Sequence, residues 1–272
     1  MSAQPAPTAT EPVLVREDDG PVAILTLNRP KARNSLSEEL LTALRLAWSD
    51  LGRDRAIRAV VLTANGSAFS AGHDLKELTA HRADGDGGRA YFHHIMTTCS
   101  AMMQDVVALP KPVVAAVQGV ATAAGCQFVA TCDLAVASAD ARFATPGVDI
   151  GLFCSTPMVA LSRNVAPKHA MEMLLTGEMV EAQEALRIGL VNQVTEPGAE
   201  RAAALALAHK IATKSSYTVG VGKTAFYRQL EMGLGQAYDY AAETMTENMM
   251  ARDAEEGICA FIEKRAPKWE DR

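Results

Sequence analysis

The sequence lacks features that would assign it to several classes of protein. It has no block of basic residues, and 26 Lys and Arg against 32 Asp and Glu give a formal net charge of −6. That balance argues against a nucleic acid or an anionic membrane as the partner. No apolar run approaches the ~20 residues that a membrane-spanning helix needs, so we expect no membrane span.

The cysteines give no sign of a disulfide framework. They number five, which is odd, and no Cys-x-x-Cys pair occurs. In a chain of this length they predict reduced thiols and a cytoplasmic location. No spacing of His, Cys and Asp is typical of a metal site. Residues 1–12 lack the apolar core of a signal peptide and are predicted to form a disordered tail.

The sequence patterns alternate between strand and helix in the first half of the chain and are helical in the second half. Residues 13–16 and 22–27 predict a hairpin. Ser35 and Glu38 have the spacing of a capping box, which predicts a helix from there to about residue 50. Residues 64–75 are predicted to be a loop and residues 89–107 a helix. This order predicts the α/β fold class.

The most informative stretch is Ala-Ala-Gly-Cys-Gln at residues 123–127, where a predicted strand passes into a helix. A helix N-terminus has unpaired N–H groups and partial positive charge, so it can hold an oxyanion. Gln127 lies about one turn inside that helix, where an acid or base would face a bound group. Because an amide does not exchange protons near neutral pH, the stretch indicates a site that stabilises an enolate-like anion without the obvious base.

A series of motifs occurs in order along the chain, at residues 27–36, 68–75, 116–126, 143–146, 174–177, 182–191 and 261–265. Any one motif is weak, but the ordered combination is specific. Together they resemble the crotonase (enoyl-CoA hydratase/isomerase) superfamily over about residues 13–268. Three of the sequence motifs are most similar to the enoyl-CoA hydratase domain-containing protein 3 subgroup. They are Gly-His-Asp-Leu, Thr-Ala-Ala-Gly-Cys-Gln and Gly-Leu-Phe-Cys-Ser-Thr-Pro.

The resemblance implies a crotonase-type spiral of ββα units at residues 13–197, with two nearly perpendicular sheets and an acyl-CoA site. A C-terminal helical region at residues 198–272 would pack in a homotrimer, or in a hexamer made of two trimers. The implied ligand is a coenzyme A thioester, with no separate cofactor. Its carbonyl oxygen would lie between the backbone N–H groups of His73 and Ala124, where losing one donor costs ~3 kcal/mol.

Hydratases of this superfamily use two glutamates, and neither is present at the matching positions. One maps to Gln127 and the other to Gly147, which is expected to leave only space. A positioned acid or base is worth ~10²–10⁴-fold, so efficient hydration is not expected. Asp149 either replaces a base or ties down its loop, and the His73 ring either transfers protons or points away. Cys126 is better explained by core packing than as a nucleophile.

The phosphates of coenzyme A call for basic residues at the entrance of the site. Lys31, Arg33 and Lys76 lie in the two loops that frame the nucleotide in relatives, although ordinary surface charge explains them equally well. By resemblance, Asp74 and Leu75 contact the adenine through backbone groups. The other predicted CoA-binding residues are Ala32 and Ala71 in the same loops and, from a neighbouring subunit, Phe261 and Lys264.

Two functions stay open at this point. The first is an enzyme of fatty acid metabolism, nominally an enoyl-CoA hydratase (a lyase) or isomerase, that works through a stabilised enolate; this prediction rests on family analogy. The second is a non-catalytic acyl-CoA binder or regulatory subunit that keeps the scaffold without the chemistry.

Overall fold

The computed structural model describes residues 11–272, so most of the predicted tail lies outside the described residues. The strands are β1 (Leu14–Asp19), β2 (Val22–Leu27), β3 (Ala59–Ala64), β4 (Ala68–Ser70), β5 (Val113–Val117), β6 (Val120–Thr122), β7 (Leu134–Ser138), β8 (Arg142–Ala144), β9 (Val180–Glu181) and β10 (Gln193–Thr195). The helices are α1 (Glu38–Arg53), α2 (Leu75–Ala80), α3 (Arg89–Ala108), α4 (Ala124–Thr131), α5 (Pro157–Asn164), α6 (Pro167–Thr176), α7 (Ala182–Arg187), α8 (Glu200–Ala212), α9 (Ser216–Gln229), α10 (Leu234–Met250) and α11 (Arg252–Ile262).

The strands form two sheets through a repeated unit. The larger sheet has the order β1-β2-β3-β5-β7-β10 and the smaller one β4-β6-β8-β9. Units that begin with β3, β5 and β7 each place one strand in the larger sheet and the next in the smaller, and a helix follows. The large-sheet strands of these units pair in parallel. This arrangement confirms the predicted α/β fold, a crotonase-type spiral of ββα units.

The central strands of the larger sheet, β2, β3, β5 and β7, are buried on both faces, as expected for strands that are covered on both sides. Every residue of β2 and of β5 is buried. One face packs against apolar side chains of α1, α3 and α4, including Leu44, Met102 and Phe128. Ala204 and Ala208 of α8 cover the other face, where small side chains let the helix approach the strands closely. The predicted division at residue 198 stays a prediction.

Several predicted elements are confirmed, but the predicted start of α1 is wrong. The hairpin of β1 and β2 and the long helix α3 lie where the patterns placed them. The N-cap of α1 is Ser37, whose Oγ accepts a hydrogen bond from the Leu40 N–H at 3.2 Å. The Ser35 hydroxyl is not available as a cap, because it donates instead to Asp74 Oδ2 at 3.1 Å.

Two elements lie where the sequence predicted none. The predicted loop at residues 64–75 contains β4, which has three residues and pairs with β6. The helix α5 at residues 157–164 follows a 3₁₀ turn at residues 146–150, and the sequence patterns marked no separate helix there. A strand of three residues, such as β4, is too short to show a periodic pattern. Whether it forms depends on pairing with a distant segment.

A buried ion pair fixes α9 against the core. Lys223 Nζ donates to Asp133 Oδ2 at 2.7 Å and to the carbonyls of Val106 and Lys111 at 2.9 and 3.0 Å. The Tyr227 hydroxyl donates to the other carboxylate oxygen at 2.9 Å. Burial lowers the pKa of Lys223, although the Asp133 charge opposes this. Each of the three ammonium protons has an acceptor, so α9 is held in one position against the core.

The C-terminal helices expose large apolar side chains. No residue of α10 is buried in the single chain, and Tyr238 and Met250 are 71% and 81% exposed. Phe261 on α11 is 84% exposed. Large apolar side chains that are exposed on neighbouring helices are typical of an interaction surface. The predicted trimer or hexamer stays a prediction.

Two further properties of residues 11–272 bear on the site. Within this range, no helix has the length and apolar character that crossing a bilayer requires. The same residues contain no group of three or more His, Cys, Asp or Glu side chains that could hold a metal ion.

Four of the five cysteines are buried and Cys259 is exposed. Burial raises the pKa of Cys99 and Cys126 to about 12, and it also raises those of Cys132 and Cys154. For Cys126 this favours core packing over a nucleophilic role, because the thiolate is the reactive form.

We therefore expect one thiol per folded chain to react quickly with Ellman's reagent, and all five to react after unfolding. The variant Cys259→Ser should show no fast thiol when folded. A fast second thiol in that variant would contradict the burial of the other four.

Candidate functional site

Two loops that are far apart in sequence are joined by backbone hydrogen bonds. The Ala71 N–H donates to the Arg33 carbonyl at 3.0 Å, and the Leu36 N–H donates to the Gly72 carbonyl at 2.8 Å. The Asp74 N–H in turn donates to the Leu36 carbonyl at 3.3 Å. The loop after β2 and the loop after β4 therefore form one surface, which carries most of the predicted CoA-binding residues.

A network of polar side chains holds this double loop in place. Arg29 donates to Asp74 Oδ2 at 3.0 Å and to the Ser35 carbonyl at 2.6 Å. Asp74 also caps α2 by accepting from the Lys76 N–H at 3.1 Å. Burial alone would raise the pKa of Asp74, but Arg29, Ser35 and the Lys76 N–H hold it below its usual value. The Asp74 side chain is thus committed to the protein, which leaves its backbone for a ligand.

The segment at Gly72 lies directly against the start of α4. A Cβ added at Gly72 would lie 2.9 Å from the Ala123 Cβ and 3.3 Å from the Ala124 nitrogen. Gly72 also has a φ of +87°, a conformation that favours glycine. Neither the His73 N–H nor the Ala124 N–H donates to a backbone carbonyl of the described chain. The two predicted oxyanion donors therefore lie in adjacent segments and are both unpaired.

Ser70 fixes the relative position of these segments. Its Oγ donates to the Asn34 carbonyl at 2.9 Å and accepts from the Gly72 N–H at 3.3 Å. Its own carbonyl approaches Gly125 so closely that a Cβ there would overlap it. Gly125 is therefore required for α4 to begin against β4.

Gln127 lies at the inner end of a cavity of about 680 Å³. The residue is 5% exposed, and its Oε1 is buried without a hydrogen-bond partner in the described chain. The cavity lies between one face each of α3, α4 and α9 and the segment of α5. Its volume is typical of a small-molecule site, and about one helical turn separates Gln127 from the Ala124 N–H.

Two further side chains near the start of α4 have buried polar atoms without a partner among residues 11–272. They are both ring nitrogens of His73 and the Oγ1 of Thr145. Burial lowers the pKa of His73 to about 4, and the nearby Leu36 carbonyl acts in the opposite direction without forming a hydrogen bond. The ring is neutral at pH 7, so it has one donor and one acceptor.

Thr145 was not predicted from the sequence. Its position follows from the Ala123 N–H, which donates to the Ala144 carbonyl at 2.9 Å and thereby brings the end of β8 to the start of α4. Thr145 comes two residues before Gly147, and this closeness was the one sequence signal that could have marked it as a site residue. A buried hydroxyl without a partner costs ~1–3 kcal/mol, so a polar group that reached Thr145 would gain a hydrogen bond.

Gly147 does not leave space, which corrects the expectation drawn from the sequence. A Cβ at this position would lie 2.7 Å from the Leu152 carbonyl oxygen and 2.9 Å from Cys154 Sγ. The Leu152 N–H donates back to the Gly147 carbonyl at 2.9 Å, so the chain folds over this residue. Residues 152–154 occupy the volume that a longer side chain would need.

Asp149 is exposed and lies beside the C-terminal end of α6. Its Oδ2 is 3.1 Å from the position that a Cβ on Gly177 would occupy, just past the end of α6. This placement favours the simpler of the two interpretations, in which Asp149 belongs to the packing of its loop. Its catalytic role stays a prediction.

The predicted CoA-binding residues fall into two groups. Lys31, Arg33 and Lys76 are exposed on the joined loops, and none of them forms an ion pair within residues 11–272. Leu75 is 51% exposed, and Ala32 and Ala71 are half-buried on the same loops. Phe261 and Lys264 form the second group, because they lie at an exposed end of α11, which packs against α9 and α10.

The enoyl-CoA hydratase/isomerase family model matches residues 17–272 of the sequence. The chain belongs to this family. Enoyl-CoA hydratase domain-containing protein 3 of Rattus norvegicus is 46% identical over 270 residues, which cover 98% of the chain and 88% of that relative. These findings confirm the predicted superfamily and subgroup.

Solved structures of family members show the same fold. An enoyl-CoA hydratase of Mycobacterium smegmatis is 52% identical and superposes with a TM-score of 0.91, over 95% of this chain and 99% of that one. Human enoyl-CoA hydratase domain-containing protein 3 is 43% identical with a TM-score of 0.89, over 94% and 100% of the two chains.

The expected cytoplasmic location is wrong. The rat, mouse and human relatives, at 46%, 45% and 44% identity, are all named as mitochondrial proteins. The expectation rested on reduced cysteines, and a lack of disulfides separates reducing from oxidising compartments without distinguishing one reducing compartment from another.

Proposed function

We propose that this protein binds an acyl-CoA thioester and stabilises the enolate form of its acyl group. The carbonyl oxygen would accept hydrogen bonds from the His73 and Ala124 N–H groups. The adjacency of Gly72 to the Ala124 nitrogen carries this proposal, since it brings two unpaired donors together at a helix N-terminus. Fixed donors of this kind are usually the largest single contribution to catalysis of enolate formation.

The proposed chemistry is weaker than hydration that uses two glutamates. Gln127 can orient a water through its unpaired Oε1, but it cannot remove a proton. The neutral His73 ring and the Thr145 hydroxyl are the unpaired buried groups that could assist it. The reaction would need no cofactor besides the coenzyme A of the substrate. We therefore expect slow hydration or isomerisation of an enoyl-CoA as the enzyme activity.

The filled volume at Gly147 favours a second candidate function. A site that had lost one glutamate and kept the space could still admit a catalytic water there, whereas residues 152–154 close that space. This observation supports a non-catalytic acyl-CoA binder or regulatory subunit. The two candidates share the ligand and differ in turnover.

In the same proposal, the coenzyme A moiety lies on the joined loops. Lys31, Arg33 and Lys76 would face its phosphates, and the backbone of Asp74 and Leu75 its adenine. Phe261 and Lys264 would reach the ligand of a neighbouring subunit in a homotrimer, or in a hexamer of two trimers. The exposed apolar surface of α10 and α11 supports such an assembly.

Calorimetric binding of butyryl-CoA and of the thioether S-butyl-CoA tests the proposal. The two ligands differ in the carbonyl group, so the thioester should bind more tightly if both N–H groups contact its oxygen. Deuterium incorporation at the α carbon of butyryl-CoA in D₂O, followed by NMR, reports enolate formation directly. Equal binding of the two ligands, or no binding of either, would overturn the proposed site.

The same measurements separate the two candidates. Preferential thioester binding with α-deuterium exchange above the solvent rate, together with slow hydration of crotonyl-CoA, supports the enzyme. Preferential binding without exchange or hydration for any acyl-CoA tested supports the non-catalytic binder.

A further inference from the structure

The cavity beside Gln127 changes in character from its inner end to its open end. At the inner end Gln127 is 5% exposed and has apolar neighbours such as Met103 and Ala130. At the open end, the side chains of Arg163 and Glu231 are 54% and 66% exposed. The cavity thus begins at Gln127, about one helical turn from the Ala124 N–H, and ends at a pair of charged residues.

The open end has a pair of charged residues, whereas most of the remaining lining of the cavity is apolar. Arg163 Nε lies 3.3 Å from Glu231 Oε1, and its Nη1 donates to the Val159 carbonyl at 3.2 Å. Its Nη2 has no hydrogen-bond partner in residues 11–272. The hydroxyls of Ser100 and Thr224 also line the cavity and make no hydrogen bond within the described chain.

A saturated hydrocarbon tail fits the apolar part of the cavity, lined by residues such as Ala108, Ala160 and Leu230, but not its charged end. Placing methylene groups against unpaired donors removes them from water without replacing the hydrogen bonds they lose. A tail that carries an oxygen can accept from the free Arg163 nitrogen and donate to Glu231. Because the charges of these two residues balance each other, a neutral oxygen function fits the pair better than a second carboxylate, which Glu231 would repel.

The geometry points to a substrate specificity, and we propose that the cavity takes an acyl chain with a neutral hydroxyl group towards its distal end. Arg163 and Glu231 would be the residues that determine this specificity. The fixed position of α9 supports this role, since the buried Lys223 and the half-buried Tyr227 hold this helix, and Glu231 follows two residues after its end. The inference rests on the proposed function, because it requires that the protein binds an acyl-CoA.

The test compares ω-hydroxyacyl-CoA with plain acyl-CoA ligands of the same chain length, from six to ten carbons, by calorimetry. At the length that reaches the ion pair, the hydroxylated ligand should bind about 3- to 10-fold more tightly, the effect of one hydrogen bond. The preference should disappear in Arg163→Met and fall in Glu231→Gln. Butyryl-CoA is too short to reach the pair, so its affinity should not change in either variant.

Arg142→Met is the matched control. Arg142 also lies 3.3 Å from a glutamate, Glu181, with side-chain exposures of 54% and 59%, but it does not line the cavity. This variant should keep the hydroxyl preference. Equal binding of hydroxylated and plain chains at every length, with butyryl-CoA still bound, would overturn the specificity and leave the proposed function standing. A lack of binding by butyryl-CoA as well would overturn both.

Discussion

Replacing Gly72 with alanine is expected to remove the preference of the protein for a thioester over a thioether. The new Cβ would lie 2.9 Å from the Ala123 Cβ and 3.1 Å from the Thr122 carbonyl oxygen, so one segment must move. That movement separates the His73 N–H from the Ala124 N–H. Losing one donor to an oxyanion costs ~10²–10³-fold, and we expect α-deuterium exchange to fall by at least ~100-fold.

The control for this variant is Gly198→Ala. Gly198 has a φ of +86°, against +87° for Gly72, and an added Cβ there would meet nothing within 4 Å. Both variants therefore carry the same backbone strain, while only the change at Gly72 disturbs the proposed site. Gly198→Ala should keep the thioester preference and the exchange rate. If Gly72→Ala also keeps them in a folded protein, the two N–H groups do not hold the carbonyl oxygen.

The second large effect is expected from Gln127 and Gly147, the two positions that the resemblance matches to the glutamates of hydratases. Gln127→Glu changes little in shape and supplies a group that can transfer protons at the inner end of the cavity. We expect this single change to raise hydration of crotonyl-CoA by ~10²-fold, the lower range for a positioned acid or base. Gln127→Met, which has a similar size and no acid or base, should give no gain. Failure of Gln127→Glu to raise the rate would show that the carboxylate does not face the bound enoyl group.

Gly147→Glu is expected to have the opposite outcome. The Cβ would press on the Leu152 carbonyl at 2.7 Å, and backbone at that distance cannot give way cheaply. Overpacking of this kind costs ~1–3 kcal/mol, before the cost of burying a carboxylate is added. Adding this change to Gln127→Glu should lower the midpoint of urea unfolding and cancel the gain in hydration.

Gly222→Glu serves as the control for the change at residue 147, because Gly222 is exposed on α9 with open space around it. Its unfolding midpoint should stay close to that of the starting protein. A double variant of residues 127 and 147 that is both stable and faster than Gln127→Glu alone would contradict the filled volume at Gly147.

The sequence by itself determined the local features of the site and the family. The start of α4 at Ala124 and the position of Gln127 one turn later follow from a strand, a glycine break and helical spacing, all within a few residues. The hairpin of β1 and β2 and the helix α3 were equally local. The order of short motifs along the chain was enough to predict the superfamily. Each motif is a short run of residue types, which can be recognised without knowing where the fold places it.

Only the tertiary structure decided what surrounds those features. The ββα spiral leaves no sequence repeat, because what recurs is the pairing of distant strands, and β4 has three residues. The closed space at Gly147 is set by the backbone of residues 152–154, and the unpaired Thr145 hydroxyl by where β8 ends. The ion pair of Arg163 and Glu231 joins residues 68 positions apart in the chain. Volumes and partners of this kind depend on how separate segments pack, and no local pattern encodes them.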